Sequence, residues 1–184
     1  MKPTEDLKQE HKAIKTMLGI MTRIADDIRN GKEFDVKDIE NIVYFLRVFA
    51  DKCHHGKEEN VLFPALIASG MPAENGPVSV MLHEHTLGRG YIKEMSDGVE
   101  NWKNHQVTAD KLIATAMTNY VTLLQNHIMK EENVLFMMAD RMLAAAGQAE
   151  IAQRFEQIEE EVVGHGVHEE FHQLLDELLI KYPE

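Results

Sequence analysis

Two histidine–glutamate pairs with equal spacing are the residues of this chain best suited to chemistry. His54 precedes Glu58 by four positions, and His127 precedes Glu131 by the same interval. Residues four apart stack on one face of an α-helix, so each pair would present an imidazole and a carboxylate together. These donors together suit iron, and also zinc or manganese. The two pairs therefore predict a transition-metal site.

Both pairs belong to an internal repeat. The segments 53–63 and 126–136 are identical at eight of eleven positions, and a Glu-His dipeptide that ends at His11 recurs ending at His85. Each half of the chain thus reads Glu-His, then about 42 residues, then His-x-x-x-Glu. A repeat that served helix packing alone would keep only the apolar class of its residues, whereas here His and Glu recur.

The repeated carboxylates fall in an apolar setting. Glu58 is followed by Val61 and Leu62, and Glu131 begins the identical stretch. A carboxylate in a helical core costs several kcal/mol unless it is paired or bound to a metal. A buried ion-pair network is the weaker alternative, because the sequence offers no matching inward Lys or Arg on every helix. Two metal ions bridged by the two carboxylates would satisfy both groups.

The elements that must position these residues are helices. Pro and Gly interrupt the chain at few places, and the stretches between them carry apolar residues at the spacing of one helix face. We expect an all-α, up-down-up-down four-helix bundle with two shorter C-terminal helices packed on its side or end. The first predicted helix has Thr4 as its N-cap and ends before Asn30. The other five run from about Val36 to Ala68, Val78 to Trp102, Thr108 to Ala146, 148–163 and 166–181. They form one domain, 1–184, with the bundle over about 4–146 as two repeated halves, 4–70 and 78–146, and a C-terminal helical extension, 148–184.

The chain resembles the hemerythrin-like family of His-His-Glu cation-binding domains over about residues 5 to 145. The resemblance implies a non-haem di-iron centre, with two Fe ions that share an oxo or hydroxo bridge and with both glutamates bridging. It also implies that the centre takes oxygen, nitric oxide or peroxide. The matching positions, which follow the family's order along helices one to four, are His11, His54, Glu58, His85, His127 and Glu131.

Two positions depart from the oxygen-carrying members. Those members have a fifth His four residues after the third-helix His, where this chain has Arg89, and they end with His-x-x-x-x-Asp, where this chain has His127-x-x-x-Glu131. The chain therefore resembles a four-His, two-Glu branch. Fewer imidazoles leave more coordination open, which favours reactivity over reversible carriage. Other residues that could complete the site are Tyr91, Tyr120, Glu59, Glu132 and His83, although Glu59 and Glu132, which also repeat, are expected behind the ligands or in solvent.

These features predict a di-iron protein that binds or reacts with oxygen, nitric oxide or peroxide. A peroxide- or NO-reactive oxidoreductase is one form of that function. The alternatives are iron storage or donation, repair of iron clusters, and gas or redox sensing through a partner protein.

Four neighbours of the predicted ligands have less specific roles. His83 is two residues from His85 and would point to the opposite side of the helix, so we expect it to be exposed or behind the ligands. His55 is expected behind the ligands or at the surface. Arg89 is either a surface cation or an anion-neutralising group near the site. Cys53 is expected to be a small buried residue.

A second motif offers a competing metal site. The stretch from His168 to His172 fits the His-Glu-x-x-His pattern of zinc proteases. A third ligand would have to follow, and the remaining candidates, Asp176, Glu177 and Glu184, are ordinary surface or terminal acids. We therefore expect no metalloprotease site here.

Composition limits the partners. The chain has 184 residues with 19 Lys and Arg against 31 Asp and Glu, a formal charge of −12, which argues against binding nucleic acid or an anionic membrane. No apolar stretch approaches the roughly 18 residues of a membrane span. A single Cys excludes an internal disulfide, and the start of the chain is polar rather than leader-like. We expect a cytoplasmic protein whose acidic surface could dock a basic redox or signalling partner.

Overall fold

The computed structural model describes residues 1–164 and 166–183, and within them six helices and no strand. Helix α1 is Pro3–Arg29, α3 is Pro77–Lys103 and α6 is Val167–Lys181. The other three helices contain π-helical turns. Helix α2 (36–68) is α-helical over Val36–Phe45 and Phe63–Ala68, with π segments at Leu46–His55 and Glu58–Leu62. Helix α4 (109–142) comprises Ala109–Lys130, a π segment Glu131–Leu135, and Phe136–Met142. Helix α5 (145–163) comprises Ala145–Ile158 and a π segment Glu159–Val163.

Helices α1 to α4 form the bundle. Helix α4 packs against both α1 and α3, and α2 packs against α3. Short loops join helices that run in alternating directions, as in an up-down-up-down bundle. The predicted all-α bundle with two shorter C-terminal helices is confirmed.

Two predicted boundaries were wrong. Helix α1 starts at Pro3, which loses no hydrogen bond in the first turn, so Thr4 is inside the helix, and its hydroxyl donates to Asp140 at 2.7 Å. The fourth helix ends at Met142 rather than Ala146, because the chain becomes extended at Leu143 and Ala144 before α5 begins. This bend buries Leu143 against the apolar residues at that end of the bundle.

The core consists of two apolar clusters with a polar layer between them. On α1, Leu7 belongs to one cluster and Ile14 to the other, and His11 lies between them. On α2 the same break separates Ala50 from Val61. The candidate site therefore occupies a level of the bundle with packed hydrocarbon above and below it.

The π-helical turns of α2 and α4 coincide with this polar layer. The first π segment ends at His54 and His55, the second begins at Glu58, and the third begins at Glu131. Wider π turns occur often at functional sites, where they redirect side chains that a regular α-helix would point elsewhere. The sequence did not predict them.

The C-terminal helices cover one side of the bundle. Phe171 and Leu178 of α6 join the larger apolar cluster, and Phe155 of α5 joins the smaller one. Helices α5 and α6 mainly bury residues of the first half of the repeat. Val61 is therefore 2% exposed, whereas its counterpart Val134 is 50% exposed. Among the described residues, no helix has both the length and the apolar character needed to cross a bilayer.

Candidate metal centre

The structure brings all six predicted ligand residues together in the polar layer of the bundle. Each is at most 1% exposed, and together they come from all four bundle helices. The four helices therefore bring four imidazoles and two carboxylates together in a space closed to bulk water. The residues are His11 on α1, His54 and Glu58 on α2, His85 on α3, and His127 and Glu131 on α4.

Each carboxylate lies between two imidazoles. The oxygens of Glu58 are 3.8 Å from His54 Nε2 and 3.4 Å from His85 Nε2. Those of Glu131 are 3.0 Å from His127 Nε2 and 3.2 Å from His11 Nε2. Each Glu therefore directs one oxygen toward each side of the centre, as a bridging carboxylate would.

The potential ligand atoms divide into two groups of four. In each group these atoms lie within 4.8 Å of one another, close enough to surround a single ion. Glu58 belongs to both groups, so two ions held there would share a ligand. We call the groups site A and site B. Site A is His11, His54, Glu58 and Glu131, and site B is His55, Glu58, His85 and His127.

A second layer of carboxylates orients the four imidazoles. In each ring Nδ1 lies within hydrogen-bond distance of a glutamate, so Nδ1–H donates outward and leaves Nε2 directed toward the centre. The proton positions follow from these partners. The pairs are His54 with Glu10 at 2.7 Å, His85 with Glu59 at 2.7 Å, His127 with Glu84 at 2.9 Å, and His11 with Glu132 at 3.0 Å.

A cation supports each of these outer glutamates. These cations also repeat, since Lys15 corresponds to Arg89 and Lys57 to Lys130. Glu59 and Glu132 hold imidazoles from behind, which is one of the two positions expected for them, and do not fill an open coordination position. The contacts are Lys57 to Glu10 at 2.7 Å, Lys15 to Glu132 at 2.8 Å, Arg89 to Glu59 at 2.6 Å, and Lys130 to Glu84.

The two inner carboxyls have opposite electrostatic settings. Burial raises the pKa of Glu58 well above its usual range, and the neighbouring Glu131 adds to the effect. Burial also opposes ionisation of Glu131, but His127 and His11 hold its pKa well below the usual range. Burial alone would lower the pKa of His127, whereas Glu131 and Glu84 raise it to about 9. The cluster therefore balances its charges with protons, which bound cations would replace.

The unsatisfied atoms of the cluster fit metal binding. Within the described chain, several buried donor atoms have no hydrogen-bond partner, which is rare in a folded protein. Seven of these atoms belong to residues of sites A and B, and imidazole nitrogens and carboxylate oxygens are the types that bind iron, zinc or manganese. They are His11 Nε2, both ring nitrogens of His55, and both oxygens of Glu58 and of Glu131.

Sequence reasoning undervalued His55. It is 3% exposed, its ring stacks on that of His85 with centroids 3.8 Å apart, and it lies in site B. Burial holds its pKa well below the usual range, so the ring is neutral. The signal in the sequence was the His54-His55 doublet, but a regular α-helix would place these side chains about 100° apart. The π turn brings both inward.

The other neighbours lie outside the two groups. His83 is exposed, and Tyr91 lines a surface cavity beside Glu84. Tyr120 is buried and its hydroxyl has no hydrogen-bond partner among the described residues. Cys53 is buried, and burial raises the pKa of its thiol to about 12, so it is inert at neutral pH.

The comparison with known protein families decides the family. The Hemerythrin HHE cation binding domain matches residues 2–139, which is most of the chain. The chain belongs to this family. Its matched region holds all six predicted ligands, and the family resemblance inferred from the sequence is confirmed.

Individual relatives are similar over part of their length. Proteins named iron-sulfur cluster repair protein YtfE from Pectobacterium atrosepticum, Dickeya chrysanthemi and Pectobacterium carotovorum are each 38% identical over 92 residues. The match covers 48% of this chain and 41% of each relative. No solved structure showed significant similarity.

The competing zinc motif is organised differently. His168 faces Glu159 at 3.3 Å, and His172 is exposed on the next turn. His168 and Glu159 form a third acidic and thiol cluster with Glu10 and Cys53. The Lys57 ammonium neutralises the two carboxylates of this cluster, since its Nζ is 2.7 Å from Glu10 and 3.1 Å from Glu159. Glu184, which was considered as a third ligand, lies outside the described residues.

Proposed function

We propose that this protein holds a non-haem di-iron centre, with one ion at site A, one at site B, and Glu58 and Glu131 as bridging ligands. The observation that carries the proposal is that two four-residue groups, both fully buried, share Glu58. Imidazole with carboxylate suits iron, and two carboxylates between facing helices are a known way to hold an ion pair.

The residues of the chain give such a centre its character. A bound iron pair would supply Lewis-acid and electron-transfer chemistry to a small ligand. The outer glutamates fix the tautomer of each ring and raise its basicity. The apolar clusters on both sides keep water from the site and lower the local dielectric. The protein thus supplies orientation, charge and exclusion of solvent.

Similarity to the cluster-repair relatives favours one physiological role. We propose that the iron serves the repair of damaged iron–sulfur clusters, by storage and donation of iron. The support is the shared name of three relatives, each 38% identical over about half of this chain. Because the match covers 41% of each relative, the activity of those whole proteins enters only as this proposal.

Burial of the centre favours a second role. Ligand residues that are at most 1% exposed admit only small molecules without opening of the bundle. Oxygen, nitric oxide and peroxide meet that limit, so a peroxide- or NO-reactive centre is the second candidate. A basic redox or signalling partner and a cytoplasmic location stay predictions.

A repair assay separates the two roles. An enzyme whose [4Fe–4S] cluster has lost one iron to peroxide, leaving [3Fe–4S]⁺, is incubated anaerobically with the iron-loaded protein and with dithiothreitol, which supplies the electron that rebuilding [4Fe–4S]²⁺ requires. The control is the same amount of free Fe²⁺. We expect faster recovery of enzyme activity with the protein than with free iron, and no gain with Glu58→Gln. Equal recovery from free iron would contradict repair. Rapid spectral change of the loaded protein with peroxide or NO would then favour the second role.

A further inference from the structure

The two halves of the repeat differ at one helical turn beside the centre. Asp51 and His55 in the first half correspond to Leu124 and Ile128 in the second, at the same offset of 73 that relates His54 to His127. Leu124 and Ile128 are buried apolar residues of the larger cluster. The first half therefore carries a polar pair where the second half carries core packing.

The polar pair lies in a π-helical segment. The turn that ends at His55 is π-helical, whereas the corresponding turn in the second half is regular α-helix. The π turn places the His55 ring parallel to the His85 ring, and edge-on to the His127 ring with centroids 5.7 Å apart. Both rings belong to site B.

His55 repeats the arrangement of the other four imidazoles. Its Nδ1 faces the Asp51 carboxylate at 3.4 Å, and Asp51 accepts a hydrogen bond from Arg89 Nε at 2.9 Å. Every other imidazole of the centre likewise has a carboxylate at Nδ1 and a cation behind that carboxylate. Neither nitrogen of the buried His55 ring has a hydrogen-bond partner among the described residues. A buried imidazole left in this state costs free energy unless a nitrogen binds something.

We propose that His55 is a fifth imidazole ligand and binds the ion at site B through Nε2. This inference rests on the proposed di-iron centre. The centre is then asymmetric, because site B has three imidazoles and site A has two. A small ligand would find more open coordination at site A, next to His11 and His54.

The test uses Co²⁺ as a paramagnetic probe in anaerobic titrations of the whole chain. Two variants remove the nitrogen: His55→Phe keeps an aromatic ring to stack on His85, and His55→Ile installs the residue found at position 128. His83→Phe removes an exposed imidazole and serves as the matched control. We expect both His55 variants to bind one of the two ions about 100-fold more weakly, at the upper end of losses seen for groups that support metal sites. The control should match the wild type.

Proton NMR of the Co²⁺-loaded protein gives a readout that does not depend on any variant folding. Five exchangeable imidazole N–H signals with paramagnetic shifts are expected in the wild type, a count that tests the assignment by itself, and four are expected in His55→Phe as a cross-check. Four signals in the wild type, or unchanged affinity for both ions in His55→Phe, would overturn the assignment and leave the di-iron proposal standing. Failure of the wild type to bind a pair of ions would instead contradict the proposed function itself.

Discussion

Glu10 holds the His54 ring through one carboxylate oxygen and the buried Lys57 ammonium through the other, at 2.7 Å in both cases. Its counterpart Glu84 makes the same pair of contacts, with His127 and Lys130. The two glutamates differ in their surroundings, because the C-terminal helices cover Lys57 completely while Lys130 is 39% exposed. The repeat thus provides two copies of one contact, one buried and one near the surface.

Replacing Glu10 or Glu84 by alanine should weaken metal binding to a similar degree but should lower the stability of the fold to different degrees. We expect Glu10→Ala and Glu84→Ala each to weaken metal binding about 10- to 100-fold, since each frees one ligand ring. Glu10→Ala should also lower the free energy of unfolding by about 1–3 kcal/mol, because the buried Lys57 ammonium loses one of its three carboxylate partners and keeps only Asp6 and Glu159. Glu84→Ala should change it by less than about 1 kcal/mol. Metal titration and denaturant unfolding measure the two effects, and equal stability losses would contradict the assigned difference.

Glu58→Gln should remove the stabilisation that metal gives to the fold. Ions that bind only the folded state raise its stability, and the amide cannot bridge two ions as the carboxylate does. The metal-free variant should melt no lower than metal-free wild type, because burial raises the pKa of Glu58 and makes its charge unfavourable without metal. Thermal unfolding with and without Fe²⁺ or Zn²⁺ checks both statements. A variant that keeps the full metal-dependent rise in Tm would show that Glu58 is not a bridge.

The pair between His168 and Glu159 should make the docking of α6 sensitive to pH. His168 first, and Lys57 with it, lower the pKa of Glu159 from 4.5 to about 2, so the contribution of this carboxylate is present above pH 4.5 and is lost as the pH falls toward 2. The Glu159 carboxylate raises the pKa of His168 above 6.5, so that contribution is complete below pH 6.5 and is lost as the pH rises through the higher value. The pair is therefore strongest between about pH 4.5 and 6.5.

His168→Gln tests this window. The pair is about one-third exposed, so the loss at pH 5.5 should be under about 1 kcal/mol, or roughly 2–4 °C in Tm. At pH 9 the variant and the wild type should melt together. A difference in Tm that is the same at both values would show that His168 acts through packing, for example on Phe49, rather than through charge.

Two glycines of α3 should respond in opposite directions to alanine. A Cβ at Gly98 would lie 2.8 Å from Ile113 Cγ1 and 3.4 Å from the Ile113 backbone nitrogen, so Gly98→Ala should push α3 away from α4 and cost about 1–3 kcal/mol. A Cβ at Gly90 meets no described atom within 4 Å, so Gly90→Ala should stabilise the helix by about 0.5–1 kcal/mol. Denaturant unfolding compares them, and a stable Gly98→Ala variant would contradict the close approach of α3 to α4.

The sequence predicted most of the architecture for a physical reason. The apolar period locates the helices, and the repeat of Glu-His and His-x-x-x-Glu singles out the residues that the bundle brings together. It predicted less well wherever the backbone departs from a regular helix. His55 enters site B through a π turn that no periodicity signals. The end of α4 depends on burial of Leu143, which only the packed structure shows.

The glutamates and cations that surround the imidazoles could be predicted from the sequence only in part. Glu59 and Glu132 repeat in the sequence, but whether they fill a coordination position or hold a ring depends on which way each side chain points. The structure places both on the Nδ1 side of an imidazole. Arg89 could be assigned only once its contacts with Glu59 and Asp51 were known.

The most direct test of the di-iron centre is the metal content of protein purified in air, measured together with its near-ultraviolet and visible spectrum before and after addition of peroxide or nitric oxide. We expect about two irons per chain, set by the two sites, and charge-transfer bands that bleach or shift on addition. Protein without iron, or with a single zinc that is lost in His168→Ala, would contradict the account.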